Sequence, residues 1–413
     1  ADLTALDNVK GCIELQDTHI NGATAVGTDD GGVTMRQGYL FVSDITGRPL
    51  DLKIGRYTLK YGNGDLLCSG DWGNASRHFD GAILTYRSDA STKIDLGYAE
   101  LVNGDVNDDS TAGTNSGAGG NVTYPGRAAG IASDPDEDSD VYWLWITRKV
   151  SDEFTFDAYD IMEYDGESNY IGEAPYLNAV EPNPQVLAQG TLENQGHLKR
   201  HTTGLQLNWD NQDFYGNTSY NGQWGTIASD QIRAVGWSAY AGARFDREGL
   251  KHDLKAGVRY ASGDGDANDR ESTRFRPLFH GGAHEANGIL DLVGWSNSVA
   301  KYVTYGVNPH EKVRVTASYI DLERYNDDDS WYNDAGAVLR TGKAFDSANP
   351  HPDEGMSGSR DIGEEVDVVI NYKHSEFLDF EGGLGHFFKG RLAEDTANLP
   401  DAQFTYAQAR LRF

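Results

Sequence analysis

The sequence predicts an all-β fold, a transmembrane, antiparallel up-and-down β-barrel of about 16–18 strands with short periplasmic turns and long acidic extracellular loops. Three observations favour this fold class. They are the composition, a series of strand-like segments with a period of two residues, and an alternation of short and long gaps between those segments. Residues 1–413 form a single domain in this interpretation.

The composition excludes several other classes of protein. Of 413 residues, 49 are Gly and 22 are Tyr, and aromatic residues make up 11% of the chain. A helical fold is disfavoured because each Gly in a helix costs about 1 kcal/mol relative to Ala, and the aromatic content is too high for a disordered chain. The formal net charge of −29 would repel nucleic acid. No apolar run approaches the roughly 20 residues of a membrane helix.

Strand-like segments are recognised by alternating apolar and polar residues and by enrichment in β-branched and aromatic side chains. Sixteen segments meet these criteria, near residues 9–16, 33–43, 51–60, 77–87, 93–102, 140–149, 153–163, 198–209, 213–221, 231–245, 250–261, 298–308, 312–321, 364–373, 377–388 and 402–413. Their even number and similar length are typical of a barrel of hairpins.

The gaps between these segments alternate between two length classes without exception. The short gaps are 46–49, 88–91, 151–152, 210–212, 246–249, 308–311 and the region around 374–375. The long gaps are 17–32, 61–76, 103–139, 164–197, 222–230, 262–297, 322–363 and 389–401. An outer-membrane barrel explains this alternation because its periplasmic turns are short and its extracellular loops long. Both termini then lie on the periplasmic side.

The faces of individual segments agree with a barrel that has a lipid side and a lumen side. In the segment 250–261, Leu254 and Val258 share one face, and Lys255 and Arg259 share the other. A soluble antiparallel sheet with one wet face would give the same alternation. The barrel is favoured because the polar faces carry charge strand after strand. The final strand ends at Phe413. A terminal Phe on such a strand resembles the C-terminal signal that the barrel-assembly machinery reads in outer-membrane proteins.

Six segments resemble the alginate-export family of outer-membrane porins, in order and in approximate spacing. They are residues 54–62, 71–81 (beginning Asp71-Trp72-Gly73), 261–269, 291–297, 330–333 (Ser330-Trp331-Tyr332-Asn333) and 362–367. The resemblance implies a monomeric barrel of about eighteen strands whose lumen arginines pass an anionic polysaccharide. With sixteen segments, either this member is smaller or an N-terminal hairpin preceding Ala1 is absent. Because the family includes members without a known substrate, the resemblance implies a channel more directly than it implies alginate.

Charged residues on the lumen face are the candidates for contact with a solute. Arginine suits a planar carboxylate because its guanidinium can bind both oxygens. The candidate lumen-lining residues are Arg56, Arg259, Lys312, Arg314, Glu365, Asp367, Arg410 and Arg412. Arg56 matches the family's Gly-Arg motif, but Leu52 and Ile54 share its parity. Alternatively, the cations pair with Glu365 and Asp367 and only hold the wall together.

The long loops carry much of the negative charge and suggest a calcium site. Acidic clusters lie at 105–109, 134–138 and 327–329. Asp264, Asp266 and Asp269 combine carboxylates with glycine in a way that Ca²⁺ favours, although they lack EF-hand spacing. The alternative is a set of solvated acidic loops. Calcium would also tie such loops to lipopolysaccharide.

Two further pairs of residues suggest how a loop could narrow the pore. Cys12 has lumen parity and Cys68 lies in a long loop, so a disulfide between them would pin that loop inside the barrel, provided that the two Cα atoms lie within about 7 Å. His280 and His284, followed by Asp291 and Trp295, could cap or gate the pore.

The resulting functional prediction is an outer-membrane porin of a Gram-negative bacterium for passive passage of anionic sugars or polysaccharide. Two alternatives remain open: a general diffusion porin preferring cations or neutral sugars, and a barrel scaffold plugged by a partner protein. No catalytic motif of an outer-membrane lipase or protease is present, so an enzyme is not expected. The expected partners are outer-membrane lipids, lipopolysaccharide and an anionic sugar or small solute, with no cofactor other than calcium. A monomer is expected, and a periplasmic or surface partner is left open.

Overall fold

One sheet of consecutive antiparallel strands forms the barrel wall. The computed structural model describes residues 2–6, 8–17, 33–70, 72, 77–100, 140–171, 195–266, 269–279, 281, 284–334, 336, 338–340, 358–397 and 400–412. The strands are β1 (Asp2–Leu6), β2 (Val9–Asp17), β3 (Val33–Val42), β4 (Leu50–Tyr57), β5 (Phe79–Arg87), β6 (Thr92–Glu100), β7 (Asp140–Lys149), β8 (Phe154–Ile171), β9 (Gln195–Asp210), β10 (Phe214–Ile227), β11 (Asp230–Arg247), β12 (Leu250–Ala261), β13 (Glu271–Ser272), β14 (Ser298–His310), β15 (Val313–Arg324), β16 (Trp331–Tyr332), β17 (Val338–Arg340), β18 (Asp361–Lys373), β19 (Leu378–Lys389) and β20 (Ala402–Leu411). The short pair β16–β17 forms a separate sheet, and β13 runs parallel to β11.

All sixteen predicted strands are confirmed, and the described residues contain one further wall strand. β1 pairs antiparallel with β2 across the turn at Asn8. From β1 to β20, each wall strand pairs with the next wall strand along the chain, so that β12 pairs with β14 and β15 pairs with β18. This is the up-and-down connectivity that the alternating gaps predicted.

One predicted long loop is wrong. The gap 222–230 was expected to be an extracellular loop, but β10 and β11 extend through it and join at Ala228-Ser229. Ala228 adopts a left-handed φ of 50°, as a tight hairpin requires. Two glycines, Gly222 and Gly225, give this segment the composition of a loop. Its lumen-facing side chains, such as Gln223 and Ile227, are nevertheless buried and continue the strand pattern.

The two faces of the wall differ as expected for a barrel in lipid. On β12, Leu254 is 45% exposed, whereas the adjacent lumen-facing Lys255 is 6% exposed. Outward-facing aromatic residues lie near both ends of the strands, including Phe154, Phe214, Tyr305 and Tyr372 near the short turns and Tyr98, Tyr142, Tyr164 and Trp224 near the long loops. Such aromatic girdles mark the two membrane interfaces of an outer-membrane barrel.

The extracellular half of the lumen is filled by loops that fold inward. We call the described parts of two of these loops, residues 58–70 and 262–297, the inner plug. Plug residues that include Leu67, Phe275 and Phe279 share one apolar core with wall residues that include Tyr57 and Trp143. The hydrophobic effect therefore holds the plug in the lumen by the same means as an ordinary protein core.

Two short helices accompany the loops. Helix α1 (His284–Asn287) belongs to the inner plug, and helix α2 (Arg391–Ala397) follows β19. Leu392 and Ala393 of α2 are buried in a second apolar cluster with Trp331 and Phe387. In the part of the chain that the structure describes, neither helix has the length and apolarity needed to span a bilayer.

Candidate functional site

The inner plug is bonded to the wall by buried polar side chains. Gln223 on β10 clamps the backbone of Arg276, accepting its N–H at 3.0 Å and donating to its C=O at 2.6 Å. The plug's two segments are joined by backbone bonds from Cys68 to Phe279 (2.7 Å) and from Phe279 to Leu66 (2.8 Å). Because each of these groups would otherwise be buried without a partner, the plug is fixed in one arrangement.

Arg259 is the cation that ties the wall to both plug segments. Its Nη2 lies 3.1 Å from the carboxylate of Asp65, and its guanidinium stacks over the Trp295 ring at 4.0 Å. The side chain is only 3% exposed. The lumen position predicted for Arg259 is therefore observed, but its contacts are those of an anchor for the plug.

Below the plug, the periplasmic half of the barrel encloses a cavity of about 1170 Å³, which we call the vestibule. Asp213 in a short turn and Asp246 at the end of β11 line its periplasmic mouth, and Trp72, His284 and Ile289 of the inward-folded loops line its roof. This volume lies just above the range of about 300–1,000 Å³ that is common for ligand pockets. The vestibule therefore has room for a sugar or a small group of sugar units.

Arg314 on β15 is a vestibule cation whose contacts with the protein are long. Its Nη1 donates to Asn308 at 3.3 Å, and its Nη2 lies 3.6 Å from Asp253, a distance too long for a strong ion pair. The side chain is 41% exposed. Since a guanidinium has five N–H donors, Arg314 can offer several of them to an anion in the vestibule.

Three other cations line the same wall of the vestibule, on β11 and β12. Lys255 lies over the rings of Tyr240 and Tyr302 at 5.3 and 6.0 Å. Arg244 donates two hydrogen bonds to Asp210, at 2.6 and 3.0 Å. Lys251 lies nearer the mouth. The cations therefore follow neighbouring strands and form a positive strip beside Arg314.

The acids on β18 and β19, the strands that follow β15 in the wall, accept hydrogen bonds from protein donors. Glu381 on β19 accepts hydrogen bonds from Asn371, Tyr406 and Gln408 at 2.7–3.0 Å. Asp367 on β18 accepts the backbone N–H of Ile289 at 3.2 Å. Glu365, two residues away, accepts the N–H of Leu290 at 3.0 Å. These carboxylates bind the wall and the plug to each other.

Four predicted lumen residues are not part of the vestibule lining. The prediction that Arg56 lines the lumen is wrong, because it shares the outward face of β4 with Ile54 and donates two hydrogen bonds to Asp80 at 2.7–2.8 Å. Lys312 lies in a periplasmic turn, where it donates to the carbonyl of His374. At the periplasmic end of β20, Arg412 donates to Asp379 at 2.6 Å and Arg410 is exposed opposite the same residue.

Two of the three carboxylates suggested for calcium, those of Asp264 and Asp269, cap turns of the chain. Asp264 accepts the N–H groups of Asp266 and Thr273, both at 3.1 Å, and Asp269 accepts the N–H of Glu271 at 2.7 Å. Among the side chains that the structure places, no three ligand residues converge on a point suited to a metal. Calcium binding therefore stays a prediction. The acidic clusters at 105–109 and 134–138 lie outside the described residues.

The predicted disulfide is wrong, since Cys12 and Cys68 are both free thiols. Cys12 lies on the wall, and Cys68 is inside the plug, where its Sγ would lie 2.6 Å from a Cβ at Gly281. The loop does fold into the barrel, as the hypothesis required, but hydrogen bonds and apolar contacts hold it there.

The capping cluster suggested around His284 lies at the roof of the vestibule. His284 Nδ1 is 2.9 Å from Asp291, and its ring packs against Trp72 at 4.5 Å. Burial lowers the pKa of His284, but its hydrogen bond to Asp291 and the charges of Asp291 and Asp334 prevail, and the net shift is upward. Trp295 lies deeper in the plug core, and His280 is outside the described residues.

Sequence reasoning missed Trp72, Gln223 and Arg244 as lumen residues. Lys255 was placed on the face of Arg259 on β12 by the period of two but was not included among the candidates for solute contact. Gln223 fell in the segment mistaken for a loop. Trp72 lies in a long gap, where the sequence gives no face, and only the inward fold of the loop brings it to the vestibule.

The comparisons with known proteins agree with this architecture. A family model described as alginate export matches residues 1–400. The chain belongs to the alginate export family. No curated protein is similar enough in sequence to match it. This chain is therefore an outer-membrane channel of a Gram-negative bacterium and not an enzyme.

Several solved porins have a similar fold. OccD3 (OpdP) of Pseudomonas aeruginosa is 9% identical, with a TM-score of 0.51 over 92% of this chain and 78% of that one. A double variant of OccD1 (OprD) is 12% identical, with a TM-score of 0.50 over 97% and 86%. The outer membrane protein OprD from Pseudomonas aeruginosa is 12% identical, with a TM-score of 0.49 over 92% of this chain and 80% of that one. At these identities the likeness shows the fold alone.

Proposed function

We propose that this channel passes small anionic solutes, with uronic-acid sugars as the favoured class, and that the vestibule is where they bind. The observation that carries the proposal is Arg314, a half-exposed guanidinium facing a cavity of about 1170 Å³ while making only one long hydrogen bond and one loose ion contact. A carboxylate entering the vestibule would gain charge-assisted hydrogen bonds there.

The charge balance of the vestibule supports an anionic solute in spite of the acidic composition. Glu381 and Asp367 already accept hydrogen bonds from the protein, and Asp253 accepts one from Tyr215 at 2.8 Å. Arg314 and Lys251 present their charge to the vestibule from β15 and β12. A passing solute would therefore meet available cations beside acids that already accept at least one hydrogen bond from the protein.

The inner plug favours short sugars over a polymer. The apolar core of Leu67, Phe275, Phe279 and the wall aromatics occupies the lumen above the vestibule. A polysaccharide in transit would need a continuous wide path, whereas a monosaccharide or short oligosaccharide needs only a local gap beside the plug. Within the alginate export family, this arrangement suits uptake or release of fragments.

The second candidate is a general diffusion porin that prefers cations or neutral sugars. Asp213 and Asp246 at the periplasmic mouth favour it, because an acidic entrance attracts cations and repels anions. The two candidates predict opposite signs of ion selectivity, so a single electrical measurement separates them.

Planar-bilayer recording tests the proposal. We expect an anion-selective reversal potential in a KCl gradient and block of the current by oligouronates. Arg314→Ala should weaken the block about tenfold, since a hydrogen bond to a charged group contributes about 1.5–3 kcal/mol. Arg247→Ala is the matched control, because the side chain of Arg247, the last residue of β11, is 74% exposed and lies outside the vestibule.

Cation selectivity without uronate block would refute the proposal and leave the general porin. Absence of conductance in the purified channel would indicate a lumen closed by the plug, and the barrel would then be a scaffold. Equal weakening of the block by Arg314→Ala and Arg247→Ala would show that the effect is one of general charge and not of the vestibule.

A further inference from the structure

Two adjacent carboxylates hold the roof of the vestibule in place. Glu365 and Asp367 lie two residues apart on the lumen face of β18 and are 0% and 3% exposed. One oxygen of each accepts a backbone N–H of the plug, from Leu290 at 3.0 Å and from Ile289 at 3.2 Å. These bonds join the plug directly to the wall.

The second oxygens of the two carboxylates require a donor that no described protein group supplies. Glu365 Oε2 and Asp367 Oδ1 are buried and accept no hydrogen bond from the surrounding groups. The two carboxyl groups nevertheless lie close enough to hydrogen-bond to each other once one of them is protonated. An ionised carboxylate has no donor, so a hydrogen bond between two carboxyl groups requires a proton on one of them.

The backbone around the pair is shaped to let the plug approach it closely. Gly288 has a φ of 87°, and a Cβ at this position would lie 2.2 Å from the carboxyl carbon of Glu365. On the other side, a Cβ at Gly385 would lie 2.8 Å from Asp367 Oδ1. Only glycine at these two positions allows wall and plug to meet across the pair.

We propose that Glu365 and Asp367 share a single proton and that this proton-bridged pair is a latch that fixes the plug segment 288–291 over the vestibule. Loss of the proton would place two negative charges side by side in a buried site, where like charges repel strongly. Separation of the charges would displace the plug segment that they hold. The roof of the vestibule would then open as the pH rises.

Four other titratable groups face the latch. His284 and Asp291 approach it from the plug, and Glu381 and Tyr406 approach it from β19 and β20. A protonated His284 would stabilise the remaining negative charge of the pair, whereas Asp291 and Glu381 oppose a second one.

The latch is tested in KCl alone, and its result is therefore independent of the solute proposal. Single-channel conductance is recorded from about pH 5 to about pH 10 for the wild type and for Glu365→Gln, Asp367→Asn and Glu364→Gln. Gln at 365 keeps an oxygen for Leu290 and supplies an N–H to Asp367, so it imitates the protonated latch permanently. Glu364 lies on the exposed outer face of β18 and is the matched control.

We expect wild type and Glu364→Gln to switch to a higher conductance on the alkaline side, and Glu365→Gln and Asp367→Asn to keep the low conductance throughout. A wild-type conductance that does not change with pH would overturn the latch, and so would a Glu365→Gln channel that switches as the wild type does. A switch that follows added Ca²⁺ at constant pH would show that a cation, and not a proton, bridges the pair, which also overturns the proposal.

Discussion

Replacement of Arg259 by Ala should loosen the inner plug without weakening the binding of an anionic solute. Arg259 is 3% exposed, lies 3.1 Å from Asp65 and covers the Trp295 ring at 4.0 Å. Breaking a buried ion pair costs about 3–5 kcal/mol, and a cation–π contact contributes up to about 2 kcal/mol. Asp65 is 19% exposed and keeps a bond from Asn63, so the net cost should be near the lower figure, about 3 kcal/mol.

A cost of about 3 kcal/mol raises the population of a displaced plug about a hundredfold, because each 1.4 kcal/mol is a factor of ten. Single-channel recording should therefore show frequent openings to a higher level in Arg259→Ala. The frequency of openings in Arg259→Lys should lie between those of the wild type and Arg259→Ala, because lysine keeps the positive charge but loses the planar stack on Trp295. The wall strands do not depend on Arg259, so the melting temperature of the barrel should change little.

The reasoning would be refuted by the opposite combination of results. If Arg259→Ala left the KCl conductance and its noise unchanged but weakened oligouronate block about tenfold, Arg259 would be a solute-binding residue and the plug would not depend on it. Comparison with Arg314→Ala in the same assay makes this distinction direct, because the two arginines are expected to affect different quantities.

Three further changes have defined outcomes. Gln223→Ala leaves the buried N–H and C=O of Arg276 without their partners, at about 1–3 kcal/mol each, and should raise the frequency of plug openings in the same recordings. Arg56→Ala removes an outward-facing ion pair and should leave the reversal potential and the block by oligouronates unchanged. A changed ion selectivity would show that Arg56 lines the lumen after all. Cys12 and Cys68 should both react with a thiol reagent in the denatured, unreduced protein, and a reductant should not change the conductance. If neither thiol reacted, the two cysteines would be shown to form a disulfide.

The wall of this channel could be predicted from sequence because its pattern is local. A period of two residues assigns each side chain to a face, and on β12 it placed Arg259 in the lumen and Leu254 toward lipid. Where a strand carries polar residues on both faces the rule weakens, and Arg56, with Ile54 on its own face, was misplaced for that reason. Glycine in β10 likewise imitated a loop.

The plug could not be predicted in the same way, since its contacts join residues far apart in the chain. The bridge between Leu67 and Phe279 and the contact between Arg259 and Asp65 have no counterpart in local periodicity. A signal was nevertheless present, because Leu67, Phe275 and Phe279 are large apolar residues inside supposed extracellular loops. A solvated loop does not need such side chains, so their presence indicates a loop that packs inward.

The net charge of −29 is a poor guide to the lumen because many of its carboxylates are structural. The buried carboxylate of Asp157 accepts hydrogen bonds from the side chains of Trp145 and Thr147. The fully buried carboxylate of Asp329 accepts hydrogen bonds from the backbone N–H of Ser330 and the hydroxyl of Tyr332. Each of these acids replaces water for donors that the wall or the loops would otherwise leave unpaired. These carboxylates therefore stabilise the barrel and its loops. The electrostatic field that a solute meets in the vestibule is instead set by the few charged groups that are exposed there, above all Arg314.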